Sequence, residues 1–242
     1  MTSNDIWMSH YSVSSWMSAL GWDKYLRGVE DILNDRLVRL DDNDPVRRKS
    51  STDSGSFIIT FGEREASRWL RGRFEKTRIE LEIQHYKSGT DSFGRRRENI
   101  LTFYIPGKFN IVPNVVRLIQ LFRLNNELHS AFYGYADYRG IICAKRPSTP
   151  SLDLSRELLG MFWLTYFGAR YCAYFKRERL MTYRGASVGP ADGITFQLAD
   201  AVQNIQNDER RSLESSIGSH SFAGGGEEKE VGQYALSLDQ LV

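Results

Sequence analysis

Between Phe57 and Ala136 the apolar residues change their period along the chain, from two to 3.6 and back. A period of two places successive side chains on opposite faces of a strand, and 3.6 gathers them on one stripe of a helix. Such a segment is therefore expected to fold as sheet and helix together. Phe57–Phe61 is a short β-branched and aromatic run, which reads as a strand. Over 63–76, Ala66, Trp69, Leu70 and Phe74 share one stripe, with Arg64, Arg68, Arg71 and Glu75 largely off it, which reads as a helix. Ile79, Leu81, Ile83 and His85 then alternate with Glu80, Glu82 and Gln84, the pattern of a strand with one wet face. Asn99–Ile105 is apolar on both faces and is expected to be central in its sheet. A helix opening near Pro113 follows, with Val115, Leu118, Ile119, Phe122 and Leu128 as its core stripe, and Ala131–Ala136 is an aromatic strand. The order strand, helix, strand, strand, helix, strand is the ferredoxin-like βαββαβ arrangement, and the fold class is α+β.

Three stretches organise the chain. Residues 1–46 read as an N-terminal helical segment, in which Tyr25, Leu26, Val29, Ile32, Leu33 and Leu37 recur at helical spacing and Trp7, Trp16 and Trp22 pack beneath. Residues 55–146 hold the βαββαβ unit. Residues 151–242 form a second α+β half, packed on the first in one globule. Within it Leu154–Phe175 reads mostly as helix with a strand possible inside it. Ile194–Leu198 reads as a strand, Asp208–Ile217 as a helix closed by Gly218, and Tyr234–Leu238 as a last strand.

The charged residues exclude more than they propose. Lys+Arg 32 against Asp+Glu 30 gives a formal net charge of +2, too balanced to imply nucleic acid as a partner. Residues 62–97 are locally basic, and Arg71, Arg73 and the run Arg95, Arg96 and Arg97, with Tyr86 and Phe93 nearby, could meet phosphates and bases, but the glutamates between the arginines weaken that reading. The most apolar tract contains Arg170 and runs into Lys176, Arg177 and Arg179, which favours buried core over a membrane span. The N-terminus carries an acid where a secretory signal would carry base before an apolar run, so a cytoplasmic location is expected.

No catalytic, cofactor or metal constellation emerges. Of His10, His85, His129 and His220, no two stand at the i, i+4 spacing that would set both on one helical face for zinc. His85, alternating with apolar residues, reads as a core or boundary histidine. Cys143 and Cys172 are the only cysteines, and the apolar surroundings of Cys172 should raise its pKa and make it a poor nucleophile. Glu80 and Glu82 share a strand face without the lysine that metal-dependent nucleases add, which favours a solvated face. What remains is surface suited to a protein partner: Tyr133, Tyr135 and Tyr138, the acidic cluster Asp41, Asp42 and Asp44, and the loop carrying Glu227, Glu228 and Glu230.

The second half adds a resemblance. Its tract Gly160-Met-Phe-Trp163-Leu-Thr-Tyr166-Phe-Gly168 is followed by Asp192-Gly-Ile-Thr-Phe-Gln-Leu198, and then by Ile217-Gly218 and Phe222. Over about the last two-thirds of the chain this resembles the bacterial polymorphic-toxin immunity proteins of the immunity protein 52 group. There a Trp-x-x-Tyr-x-Gly tract precedes a strand, a helix and a late Gly-x-x-x-Phe. Thr165 stands where that pattern has asparagine. The resemblance implies a cytoplasmic antagonist with no catalytic residues. It would bind a cognate toxin, often a nuclease delivered by type VI or related secretion, and cover or distort its active site. The acidic residues above would then face the toxin's basic nucleic-acid cleft. Two other readings stay open: an effector chaperone or adaptor, which would bind without inhibiting, and a nucleic-acid-binding protein using Arg95–Arg97.

Overall fold

The computed structural model describes residues 4–13, 19–40, 47–51, 54–58, 67–86, 97–109, 111–145, 154, 157–223 and 236–241. The chain opens with β1 (Ile6–Ser12), α1 (Ala19–Leu33) and β2 (Leu37–Leu40), followed by the hairpin β3 (Arg47–Ser51) and β4 (Ser54–Ile58). Next come β5 (Ser67–Phe74), β6 (Glu80–Tyr86), β7 (Asn99–Ile105), α2 (Ile111–Leu128) and β8 (Tyr133–Tyr138). The second half contributes α3 (Arg139–Lys145), β9 (Leu164–Phe167), α4 (Ala169–Tyr174), α5 (Arg177–Leu180), β10 (Ala186–Val188), β11 (Ile194–Gln197) and α6 (Asn207–Gly218). Nine strands form one antiparallel sheet in the order β10-β11-β9-β8-β1-β7-β6-β5-β2, while β3 and β4 pair separately. The class is α+β, as expected.

The ferredoxin-like order is present, but the chain enters it earlier than the periodicity implies. In β8-β1-β7-β6, β1 lies between β8 and β7, which are joined through α2, and the connection from β1 runs through α1. The first strand and helix of the motif are thus β1 and α1, inside the region read as a purely helical N-terminal segment. Of the helix expected over 63–76, residues 67–74 are instead β5, paired antiparallel with β6 from Ser67↔Tyr86 to Arg73↔Glu80, and 63–66 lie outside the described residues. The stretch fits both periods. Gly72 and Phe74 are buried while Arg71 and Arg73 are exposed, a period of two. Gly72 would also weaken a helix interior by about 1 kcal/mol, whereas β6 supplies a full ladder of partners.

Helix ends are set locally. Asn34 takes a left-handed φ of 49° after α1, its amide donates to Asp31 O, and the Asp35 amide donates to Glu30 O. This double closure leaves few carbonyls unmet and stops the helix at Leu33, so Leu37, read as part of the helical stripe, opens β2 instead. Ser130 (φ 49°) ends α2 in the same way, with its amide on Glu127 O and that of Ala131 on Asn126 O.

Alternation along the strands builds two cores, one on each face. On the first, Met8, Leu81, Ile83, Leu101 and Phe103 meet Trp22, Tyr25, Leu26 and Val29 of α1 and Leu118, Leu121 and Phe122 of α2. Each such side chain contributes roughly 1.5–3 kcal/mol by leaving water. On the opposite, far face Tyr11, Tyr133, Tyr135, Phe167, Ile194 and Phe196 pack under Phe162, Tyr171, Cys172, Phe175, Ile217 and Phe222. Residues 157–163, expected to be largely helical, instead run extended into β9. Leu158 bridges to Phe222, its amide donating to Ser221 O (2.9 Å), and beyond it side chains receive the amides: Gly160 N donates to Tyr133 Oη (3.1 Å), Met161 N to Glu214 Oε1 (2.6 Å), Phe162 N to Thr165 Oγ1 (2.9 Å) and Trp163 N to Asp137 Oδ2 (2.9 Å). Buried amides left unmet would be costly, which accounts for the buried polar groups that β8 and α6 present to this apolar tract. Of the last strand expected over Tyr234–Leu238, residues 234 and 235 lie outside the described residues, 236 and 237 carry no strand, and Leu238 opens the 3-10 turn Leu238–Leu241.

Candidate functional site

The second half covers only one end of the far face. Two cross-strand rows traverse it, and both change character along their length. Tyr135, Ser9, Thr102, Glu82 and Arg71 stand in register on β8, β1, β7, β6 and β5, and beside them run Asp137, Trp7, Tyr104, Glu80 and Arg73. Tyr135 and Asp137 are fully buried, whereas Arg71, Arg73 and Glu80 are exposed. The uncovered end forms an open cleft of about 1150 Å³, lined among others by Trp7, Arg71, Arg73, Glu82, Tyr104 and Lys108.

Its floor is ordered by side-chain contacts across strands. Glu82 Oε2 accepts from Arg71 Nε (3.2 Å) and from Tyr104 Oη (3.2 Å). Trp7 meets Tyr104 edge-on, with ring centroids 5.5 Å apart, and Arg139 stands 5.0 Å above the Trp7 ring. Ser9 and Thr102 share a buried hydroxyl hydrogen bond of 3.1 Å. Each wall is pinned by one aspartate. The β5–β6 turn carries Lys76, Thr77 and Arg78 and is held by Asp35, which accepts the amides of Arg36, Lys76 and Thr77. Burial alone would raise the Asp35 carboxyl, but the amides of Thr77, Lys76 and Arg36 outweigh it and hold the group below the ordinary aspartate range. The loop after β7 brings Lys108 and Phe109 to the opposite wall, and there Gly107 N donates to Asp5 Oδ1 (2.8 Å).

The residues expected to touch a partner fall elsewhere. Tyr133 and Tyr135 point into the far-face core at 0% exposure, and Tyr138 is partly buried against the helix-side core. As strand residues of one half-covered sheet, the first two are packing groups. Tyr133 Oη donates to Gly160 O (2.6 Å), and burial pushes its phenol well above the usual range. Asp41, Asp42, Asp44, Glu227, Glu228 and Glu230 lie outside the described residues, as do Arg95 and Arg96. From the sequence, Arg71 and Arg73 stand only as possible phosphate contacts beside Arg95–Arg97, and Glu80 and Glu82 as a solvated strand face; Trp7, Tyr104 and Lys108 are not indicated. The available signal was charge at alternate positions, Arg71 and Arg73 and then Glu80 and Glu82, which a hairpin would lay side by side; Trp7 and Tyr104 come from distant strands.

The tract behind the family resemblance is architectural. Gly160 has a φ of +154°, and a Cβ there would stand 2.7 Å from Lys145 Nζ and 2.8 Å from Glu214 Oε1, which themselves form an ion pair. Trp163 Nε1 donates to Ala199 O (3.0 Å) and Tyr166 Oη to Pro190 O (2.8 Å). A Cβ on Gly193 would fall within 2.4 Å of the Tyr166 ring, so only glycine fits the backbone's close approach. Asp137 accepts Arg210 Nε (3.0 Å) and Nη2 (2.7 Å), a buried pair joining β8 to α6. Burial raises the Asp137 carboxyl, and Arg210 with the Trp163 and Tyr138 amides pulls it part of the way back.

Other titratable groups are also structural. His85 is a core residue, as read from its alternation, but His10 and His129 join it under α2: the His85 and His129 rings are 6.0 Å apart, and His10 Nδ1 lies 2.8 Å from Asn126 Oδ1. Burial lowers His10 and His85 to about 3 and His129 to about 4, so all three are uncharged at neutral pH. Cys172 is buried, pushed up to about 11 by that burial, and neither cysteine is in a disulfide. Among the described residues no group of three or more His, Cys, Asp or Glu could hold a metal ion, and no helix is long and apolar enough to cross a membrane.

The chain is thus an α+β protein on an extended ferredoxin-like sheet, with one sheet face half core and half open cleft. Among solved structures this fold is similar to the Pseudomonas aeruginosa T6SS protein PA0821, with a TM-score of 0.57 at 14% identity over 98% of this chain and 81% of that one. At that identity the likeness is one of fold. No protein-family model matches the chain, and no curated protein sequence does.

Proposed function

We propose that this chain is an immunity protein that binds a cognate antibacterial toxin in the cytoplasm and neutralises it, the toxin being a nuclease effector of type VI or related secretion. The observation that carries the reading is the uncovered end of the far sheet face. It is a wide, open, mixed aromatic and charged surface whose two walls are held by Asp35 and Asp5, the form expected of a preorganised protein-binding site. The family resemblance of the Gly160–Gly168 tract and the fold shared with a protein named for the T6SS support the same direction. Inhibition would follow from occluding the toxin's active site or holding it in an unproductive geometry. The acidic residues 41, 42, 44, 227, 228 and 230 are retained as further contacts of this proposal.

The test is co-expression with the product of the flanking gene. The two should purify together, and the chain should restore growth to cells making the toxin. Co-purification without restored growth would instead assign the chain as an effector chaperone. Neither binding nor protection would remove the proposal.

A further inference from the structure

We infer that the occupant of the open cleft is an acid-bearing segment of the protein partner, its carboxylates toward Arg73, Lys76, Arg78 and Lys108 and its apolar atoms against the Trp7–Tyr104 pair. This rests on the reading that the chain works by binding a protein.

The charge of the lining sets the sign. Arg71, Arg73, Lys76, Arg78 and Lys108 face Asp5, Glu80 and Glu82. Two of these three carboxylates already serve the fold: Asp5 receives the Gly107 amide, and Glu82 receives Arg71 and Tyr104. Among the described residues Arg73, Lys76, Arg78 and Lys108 form no ion pair, and all four are exposed on the rim and walls. On a chain whose net charge is only +2, this is a local cationic surface around an aromatic pair. Interfaces match such a surface with the opposite sign, which speeds encounter and rejects wrong partners.

The same geometry disfavours two other anions. A nucleic-acid strand carries a charge at every nucleotide and would bring phosphates onto Glu80 and Glu82 in the floor, whereas a peptide can set its carboxylates at the rim cations and uncharged side chains over the floor. Nor is Trp7 an open stacking platform, because Arg139 stands over its ring and Tyr104 meets it edge-on. A small anion would be poorly enclosed, since the cleft is open and, at about 1150 Å³, larger than ordinary ligand pockets.

The probe is the purified product of the flanking gene used in that co-expression, titrated calorimetrically against the full chain at low and high salt. One variant carries Arg73→Glu and Arg78→Glu. A second carries Arg117→Glu and Arg123→Glu, exposed on α2 away from the cleft. The cleft variant should melt like the parent, bind about 100-fold more weakly and lose most of its salt dependence, while the α2 variant stays within about threefold. Binding by the parent that survives the cleft reversal overturns the inference alone. So does equal loss in the α2 variant, or displacement of the toxin by a single-stranded oligonucleotide or by citrate. No binding by the parent overturns the proposed function and this inference with it.

Discussion

Tyr135 and Arg71 occupy one cross-strand row of one sheet face, and their surroundings are opposite. At the Tyr135 end the face is a dry aromatic core roofed by residues 157–163, α4 and α6. At the Arg71 end the same face meets solvent and carries charge. The difference lies in what the second half of the chain covers, since the sheet itself continues through both ends without a break in pairing. A side chain's place on a strand therefore decides which face it joins, and distant sequence decides whether that face becomes core or interface.

The sharpest way to break the comparison is to attack the roof. Asp137→Ala leaves Arg210 buried without its partner and Trp163 N without its acceptor. Urea unfolding should show a loss of about 3–5 kcal/mol, as for other broken buried pairs. The charge reversal at Arg73 and Arg78 removes no buried contact but sets a glutamate opposite Glu80, and should cost no more than about 1 kcal/mol. Comparable losses from the two would mean that the open end contributes as much to stability as the closed one.

Acid probes the helix-side core beneath both ends. His10, His85 and His129 have folded pKa values of about 3, 3 and 4, below the ordinary 6.5. Between those values the unfolded chain binds more protons, so stability falls as pH drops below about 6.5 and is unaffected by these groups above it. Three such histidines predict a loss of roughly 3–4 kcal/mol between pH 7 and 5.5, read by unfolding midpoints across pH. A flat profile over that range would contradict their burial as uncharged groups.

Much of this was legible in the sequence. The wet and dry sides of β6, the central β7, the core stripes of α1 and α2, the span of α6 and the raised pKa of Cys172 all follow from periodicity and local chemistry. The failures have definite causes. β1 is buried on both faces along most of its length, so Ile6–Ser12 shows no alternation to read. In β5 the apolar positions suit a helix stripe and a strand face alike, and only pairing with β6 decides. Tyr133 and Tyr135 look like interface residues until the second half closes over them. The cleft was least legible because its floor and walls join Trp7 to Tyr104, Asp35 to Thr77 and Asp5 to Gly107, contacts fixed by strand register and loop docking rather than by any local motif.

Hydrogen exchange of the free chain and of its complex with the flanking-gene product tests the central claim most directly. The open end of the far face should be the contact, so exchange should slow in the walls at 75–78 and 106–109 and in the strands between them. Slowing confined to α1 and α2, or to residues 177–198, with the walls unchanged, would contradict it.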